Sequence, residues 1–122
     1  MDTEIKKKYL AYARQPERDM NGVLKGISIN DQIMECRKHV ESIGGEVVKT
    51  FLEMKYPGGT ILKYYDYSGK IDGIVVYRLS HLGNSLDDSI KVIEAFLKNG
   101  KELISVTEKV NLKIQTSESA TS

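Results

Sequence analysis

The sequence is short of several things, and each shortage narrows what the chain can be. Its single cysteine, Cys36, cannot close an internal disulfide, so a core and not staples must hold the fold. It has no tryptophan, two phenylalanines and two prolines, Pro16 and Pro57. No apolar run approaches the roughly 18 residues that a membrane span needs. No segment reads as a secretory leader, and with a lone thiol a reducing cytoplasm is the expected compartment. Neither sign of charge dominates: 18 Lys+Arg face 17 Asp+Glu, a formal +1. A free-standing nucleic-acid binder is usually far more basic. Only Arg14, Arg18, Arg37 and Arg78 are arginine, the side chain that clamps a phosphate with two parallel hydrogen bonds. DNA is thus a weak candidate partner.

What is present describes one globular domain. The 122 residues are 40% hydrophobic and 29% charged. A chain of this length buries roughly two thirds of its unfolded surface, enough for one core. Disordered, collagen-like and disulfide-rich classes are excluded.

Strand and helix patterns alternate. Residues 5–13 read as a strand after the basic start Lys6, Lys7, Lys8, where lysines protect a strand edge. A polar stretch over residues 14–26 is broken by Pro16, Asn21, Gly22 and Gly26. Ile29, Ile33, Cys36, Val40 and Ile43 then recur at the helical period, with Ser28 placed as N-cap and Gly44 or Gly45 as the stop. Residues 47–52 read as a short strand. Residues 71–79 hold Gly73-Ile74-Val75-Val76-Tyr77, an apolar run typical of a strand buried on both faces in a parallel sheet. A turn over residues 80–84 leads to a second helix with the stripe Leu86, Ile90, Ile93 and Leu97. Residues 102–106 form another strand, and beyond Asn111 the chain is polar. This order argues an α/β layered fold with a mainly parallel sheet.

Few constellations carry chemistry. One cysteine and the distant His39 and His81 offer no metal-ligand spacing, and Asp87-Asp88 suits the first turn of a helix. Tyr56-Pro57-Gly58-Gly59-Thr60 lacks the lysine of a phosphate loop and reads as a turn. No cofactor is expected. His39 reads as a solvated helix residue, and His81 as a polar turn residue that could also serve as a cation or base beside Ser80.

Four runs have a further pattern. Tyr12-Ala13-Arg14 closes the first strand. Ser28-Ile29-Asn30-Asp31-Gln32 opens the first helix, followed by Glu35-Cys36-Arg37. Residues 70–86 form the third run, around the buried strand. Gly100-Lys101-Glu102-Leu103-Ile104-Ser105-Val106-Thr107-Glu108 forms the fourth. In this order and spacing they resemble the catalytic domain of serine site-specific recombinases, the resolvase and invertase family. The resemblance implies a three-layer fold: a mainly parallel central sheet of about four strands with helices packed on it. Residues 1–110 would form the domain, and residues 111–122 a polar, flexible tail.

The family's chemistry is a transesterification in which a serine attacks a DNA phosphodiester and arginines hold the developing charge. Set against that pattern, this sequence departs where the phosphate would be touched. The family serine lies two residues after the Tyr-x-Arg arginine; here Pro16 stands there, with neither a hydroxyl nor an N–H to offer. The Asp-Arg-Leu-Gly/Ser-Arg run reads Ser80-His81-Leu82-Gly83-Asn84, and a third arginine has Lys63 or nothing in its place. Tyr12, Arg14, Gln32 and Glu108 remain. The expectation is a recombinase-like domain without strand cleavage, a pseudoenzyme in a mobile-element setting. It would act on a protein partner, either an intact recombinase or a second copy. Two alternatives stay open: a divergent cleaving enzyme using Ser28 or Ser80 with Arg14, His81 and Lys63, and a non-catalytic nucleic-acid accessory module.

The family pattern also places a longer loop, with a helix, where this sequence has residues 56–70. Tyr64, Tyr65 and Tyr67, flanked by Lys55, Lys63 and Lys70, could fill that space, form a protein interface or stack bases. The helix that carries the family's dimer interface is expected to be absent after Glu108.

Overall fold

The computed structural model describes residues 6–16, 18–53, 70–83 and 85–113. Five strands form one sheet: β1 (Lys8–Arg14), β2 (Glu46–Glu53), β3 (Gly73–Val76), β4 (Glu102–Ser105) and β5 (Val110–Leu112), in the order β2-β1-β3-β4-β5. The first three pairings are parallel and the β4–β5 pairing is antiparallel. Helix α1 (Ile29–Ser42) links β1 to β2, and helix α2 (Leu86–Lys98) links β3 to β4. A 3-10 turn, Leu79–Leu82, precedes α2.

The three layers follow from the two-residue period of the strands. Tyr9 and Ala11 of β1, Val75 of β3 and Ile104 of β4 pack with Cys36 and Val40 of α1. The alternate residues, Leu10, Tyr12, Ile74, Val76 and Leu103, pack with Leu82 and with Val92 and Phe96 of α2. Tyr12 is fully buried and stacks on Phe51 of β2, with ring centroids 6.0 Å apart. The expected α/β architecture is therefore present, with one strand more than the four read from the sequence. That strand, β5, runs through Asn111 and Leu112, two residues beyond the boundary placed at residue 110. A tight turn returns the chain onto β4, with Lys109 at φ +56°. The rest of the expected tail, from residue 114, lies outside the described residues.

Both helices are capped at their N-termini, α1 by the serine the sequence suggests. Ser28 Oγ accepts from Asp31 N–H at 3.1 Å, and Ser85 Oγ accepts from Asp88 N–H at 3.1 Å. Gly44 and Gly100 follow the helix ends at φ +86° and +77°, the left-handed conformation that favours glycine. The inward face of α2 differs from the expected stripe. Ser89, Val92 and Phe96 are buried, whereas Leu86 is 76% and Ile90 40% exposed. The helix is apolar over a wide arc, and the sheet takes the side centred on Phe96. His39, expected on the solvated face, is half-buried in the last turn of α1.

The connections place a crevice. β1 leaves toward β2 through α1 on one face, and β3 leaves toward β4 through α2 on the other. The chain direction thus diverges between the carboxyl ends of β1 and β3, where open α/β sheets receive their ligands.

Candidate functional site

A cleft of about 320 Å³ lies at this divergence. It is lined by Arg14 and Pro16 after β1, Lys25, Gly26 and Ile27 before α1, Gln32 inside α1, and Tyr77, Arg78, Ser80 and His81 after β3. Arg14, Lys25 and Arg78 face it, and its lining among the described residues includes no carboxylate. It is an electropositive concavity in a chain of nearly balanced charge.

Gln32 builds the wall. Its side chain is fully buried at the start of α1, and its amide reads the end of β1 as a neighbouring strand would. Oε1 accepts from Arg14 N–H at 3.0 Å, while Nε2 donates to Arg14 O at 2.8 Å and to Ile27 O at 3.0 Å. One side chain thus ties β1 and the loop before α1 to the helix. The Arg14 guanidinium donates to Gly83 O at 3.3 Å. Gly83 must be small: a Cβ there would lie 2.6 Å from Asp88 Cβ and 2.8 Å from Ser89 N, in the first turn of α2. The carbonyl that receives Arg14 is therefore set by the close seat of this loop on α2.

His81 lies within reach of the charges of Arg14 and Arg78. Its ring stacks on Tyr77 with centroids 6.3 Å apart, and the Arg78 guanidinium lies 5.5 Å from the centre of the same Tyr77 ring. Its Nδ1 is buried without a hydrogen-bond partner. Burial, then the charges of Arg14 and Arg78, lower its pKa to about 4, outweighing the opposing pull of Glu108. The imidazole is neutral at pH 7. His81 thus lies in the turn before α2, as read from the sequence, and that turn brings its ring to the cleft beside Ser80.

Not every sequence candidate converges here. Arg14, Gln32, Pro16, Ser80 and His81 line the cleft. Tyr12 points into the core on the α2 side and does not. Glu108 lies on the turn after β4, where it accepts from Ser105 Oγ, from Thr107 Oγ1 at 3.0 Å and from Leu79 N–H at 3.3 Å. Partial burial would raise its pKa, but these hydrogen bonds win and hold it below the usual carboxylate range. It borders a second, more apolar groove with Ser80, Leu86, Ile90 and Ile93. Ser28 is occupied as the N-cap of α1. Lys63, Tyr64, Tyr65, Tyr67 and Asn84 lie outside the described residues.

Lys25, Tyr77 and Arg78 were not singled out from the sequence. Arg78 had an available signal, since it follows a buried parallel strand by two residues and so had to emerge at a carboxyl end. Lys25 had none, because its distance from the cleft is closed only by the fold. Among the described residues no group of three or more His, Cys, Asp or Glu side chains is placed to hold a metal ion, and no helix is long and apolar enough to cross a membrane.

No curated protein matches the chain significantly. Solved structures resemble it, among them two catalytic domains. The N-terminal catalytic domain of TP901-1 integrase is 25% identical and superposes with a TM-score of 0.68, over 86% of this chain and 81% of that one. The C-terminal catalytic domain of ISC1926 TnpA, an IS607-like serine recombinase, shares the fold at 17% identity, with a TM-score of 0.62 over 93% and 75% of the two chains. The family model described as the resolvase N-terminal domain matches residues 9–121. With nearly its whole length matched and its sheet, helices and cleft in place, the chain belongs to the resolvase N-terminal domain family.

Proposed function

We propose that this domain is a recombinase-type module of DNA recombination that binds without cutting. Its cleft carries three cations suited to a phosphodiester, Arg14, Lys25 and Arg78, but lacks the family's nucleophile. The observation that carries the reading is Pro16 in the cleft wall, two residues after Arg14. The serine that would attack a phosphate stands at that position in the family, and proline has no group to attack with. The domain then acts through a protein partner, with an intact recombinase as the first candidate and a second copy as the next. DNA contributes through the cleft at most, in keeping with the net charge of +1.

The test is a search for covalent chemistry. Purified protein incubated with supercoiled DNA carrying recombination sites is expected to give no protein–DNA adduct under denaturing electrophoresis, and no nicked or linear product. A co-purification with an intact serine recombinase from the same source is expected to retain the chain at moderate salt. A denaturation-resistant adduct would sink the non-cleaving reading.

A second reading has one observation in its favour. Ser80 and His81 both line the cleft beside Arg14, and His81 is neutral at pH 7 and so able to accept a proton. On this reading the domain is a divergent phosphodiester-cleaving enzyme with Ser80 as nucleophile. It requires an adduct that Ser80→Ala abolishes and Ser28→Ala leaves in place.

A further inference from the structure

The cleft holds three cationic side chains and one imidazole. Arg14 enters from the end of β1, Lys25 from the loop before α1, and Arg78 from the end of β3. None of the three is paired with a carboxylate among the described residues. His81 lies beside them with a buried, unpartnered Nδ1. The charged groups acting on it are Arg14 and Arg78, which oppose its protonation, and Glu108, which favours it. Lys25 also lines the cleft, while Tyr77 supplies a ring face and Ser80 a hydroxyl.

This arrangement has a consequence for any anion that enters. A proton on His81 is resisted because burial and two guanidiniums surround it with positive charge and little water. An oxyanion between Arg14, Lys25 and Arg78 cancels that field and offers acceptors to the imidazolium. The favourable interaction then runs both ways, by linkage: the anion makes the proton easier to bind, and the proton makes the anion easier to bind. An arginine in place of His81 would hold the anion equally at every ordinary pH. A histidine makes the grip conditional.

We propose that His81 is the protonatable arm of a phosphodiester-binding cleft, and that an oxyanion seated between Arg14, Lys25 and Arg78 draws a proton onto it, so that mild acid tightens the hold and alkali loosens it. The proposal rests on the reading that the cleft receives a phosphodiester, but it makes no use of Pro16 or of the absence of cleavage. No bond is made or broken; the ligand binds and one proton is taken from solvent.

The probe is a dinucleoside phosphodiester, such as thymidylyl-thymidine, whose own charge stays constant from pH 5 to 8. Titration of the His81 ring signals by NMR, assigned with a His39→Gln variant, gives the test directly. Saturating probe is expected to move the His81 midpoint upward by about two pH units and to leave His39 where it was. Affinity is expected to be about tenfold greater at pH 5 than at pH 7.5. In His81→Arg the pH dependence should vanish with binding strong at both values; in His81→Gln it should vanish with binding weak at both. Probe that binds without moving the His81 midpoint overturns the proposal while leaving a non-cleaving phosphodiester site intact. Absence of binding at every pH overturns both the proposal and the cleft as a phosphate site. A covalent adduct with DNA overturns the non-cleaving reading alone.

Discussion

At the scale of single residues, Gln32 is the side chain on which the cleft depends most. It is polar, fully buried and bonded three ways to backbone, so its removal strands Arg14 N–H, Arg14 O and Ile27 O together. Buried backbone groups without partners cost about 1–3 kcal/mol each, partly relieved where water can enter. Gln32→Leu keeps the volume and removes every bond. We expect it to lower unfolding stability by about 2–4 kcal/mol in urea titrations, and to weaken any ligand of Arg14 as well. A variant with wild-type stability would mean that the three bonds are replaced by solvent. Neither burial nor these bonds could be read from the sequence. Helical periodicity marks apolar positions, and Gln32 adjoins the stripe residue Ile33 without being one. It entered the reading only through the resemblance to serine recombinases.

At the scale of elements, the sequence was informative where a pattern has one solution. β3 is a continuous apolar run and can only be a strand buried on both faces; α1 has one narrow stripe, and Cys36 and Val40 point inward as the period demands. α2 is different because two apolar sets compete on it. Leu86, Ile90, Ile93 and Leu97 make a regular row, but Val92 and Phe96 lie a quarter turn away and are the pair the sheet accepts. A helix wheel cannot decide between them, since the choice depends on how the Leu79–Leu82 turn delivers the helix. β5 escaped notice for a related reason: three residues after a tight turn carry too little pattern to distinguish a strand from a polar tail. The two rows of α2 should separate cleanly in experiment. Phe96→Ala is expected to cost about 3–5 kcal/mol, because it empties a fully buried site. Leu86→Ala, at a 76% exposed position, is expected to stay within about 0.5 kcal/mol of wild type. Equal losses from both would mean that another surface covers Leu86 in solution.

At the scale of the whole molecule, the four perturbed groups among the described residues bracket the pH range in which the fold is most stable. His81 has its pKa lowered from 6.5 to about 4, so between those values the unfolded chain binds a proton that the folded chain refuses. Stability must fall as pH drops through that window. Glu108, held below the usual carboxylate range, adds to the loss further into acid: its contribution is present above its ordinary pKa of 4.5 and disappears as pH falls through its folded value. The alkaline side works in the opposite sense. Burial pushes the Cys36 thiol up to about 12 from 9.0, and burial with the hydrogen bond to Glu102 pushes the Tyr9 hydroxyl upward from 10.0. Both therefore stabilise the fold at neutral pH and lose that contribution as pH rises above their ordinary values. The expected profile of unfolding midpoint against pH is a plateau from about pH 6.5 to 9 with two falling edges. The two edges have separate owners, and the variants assign them. His81→Gln should flatten the segment between pH 6.5 and 4.5 while leaving the steeper loss below it. Cys36→Ala should lower stability throughout and move the alkaline edge toward the tyrosine range. A wild-type midpoint that stays level down to pH 4.5 would show His81 titrating as it does in water, and would remove the electrostatic basis for its conditional grip on an anion.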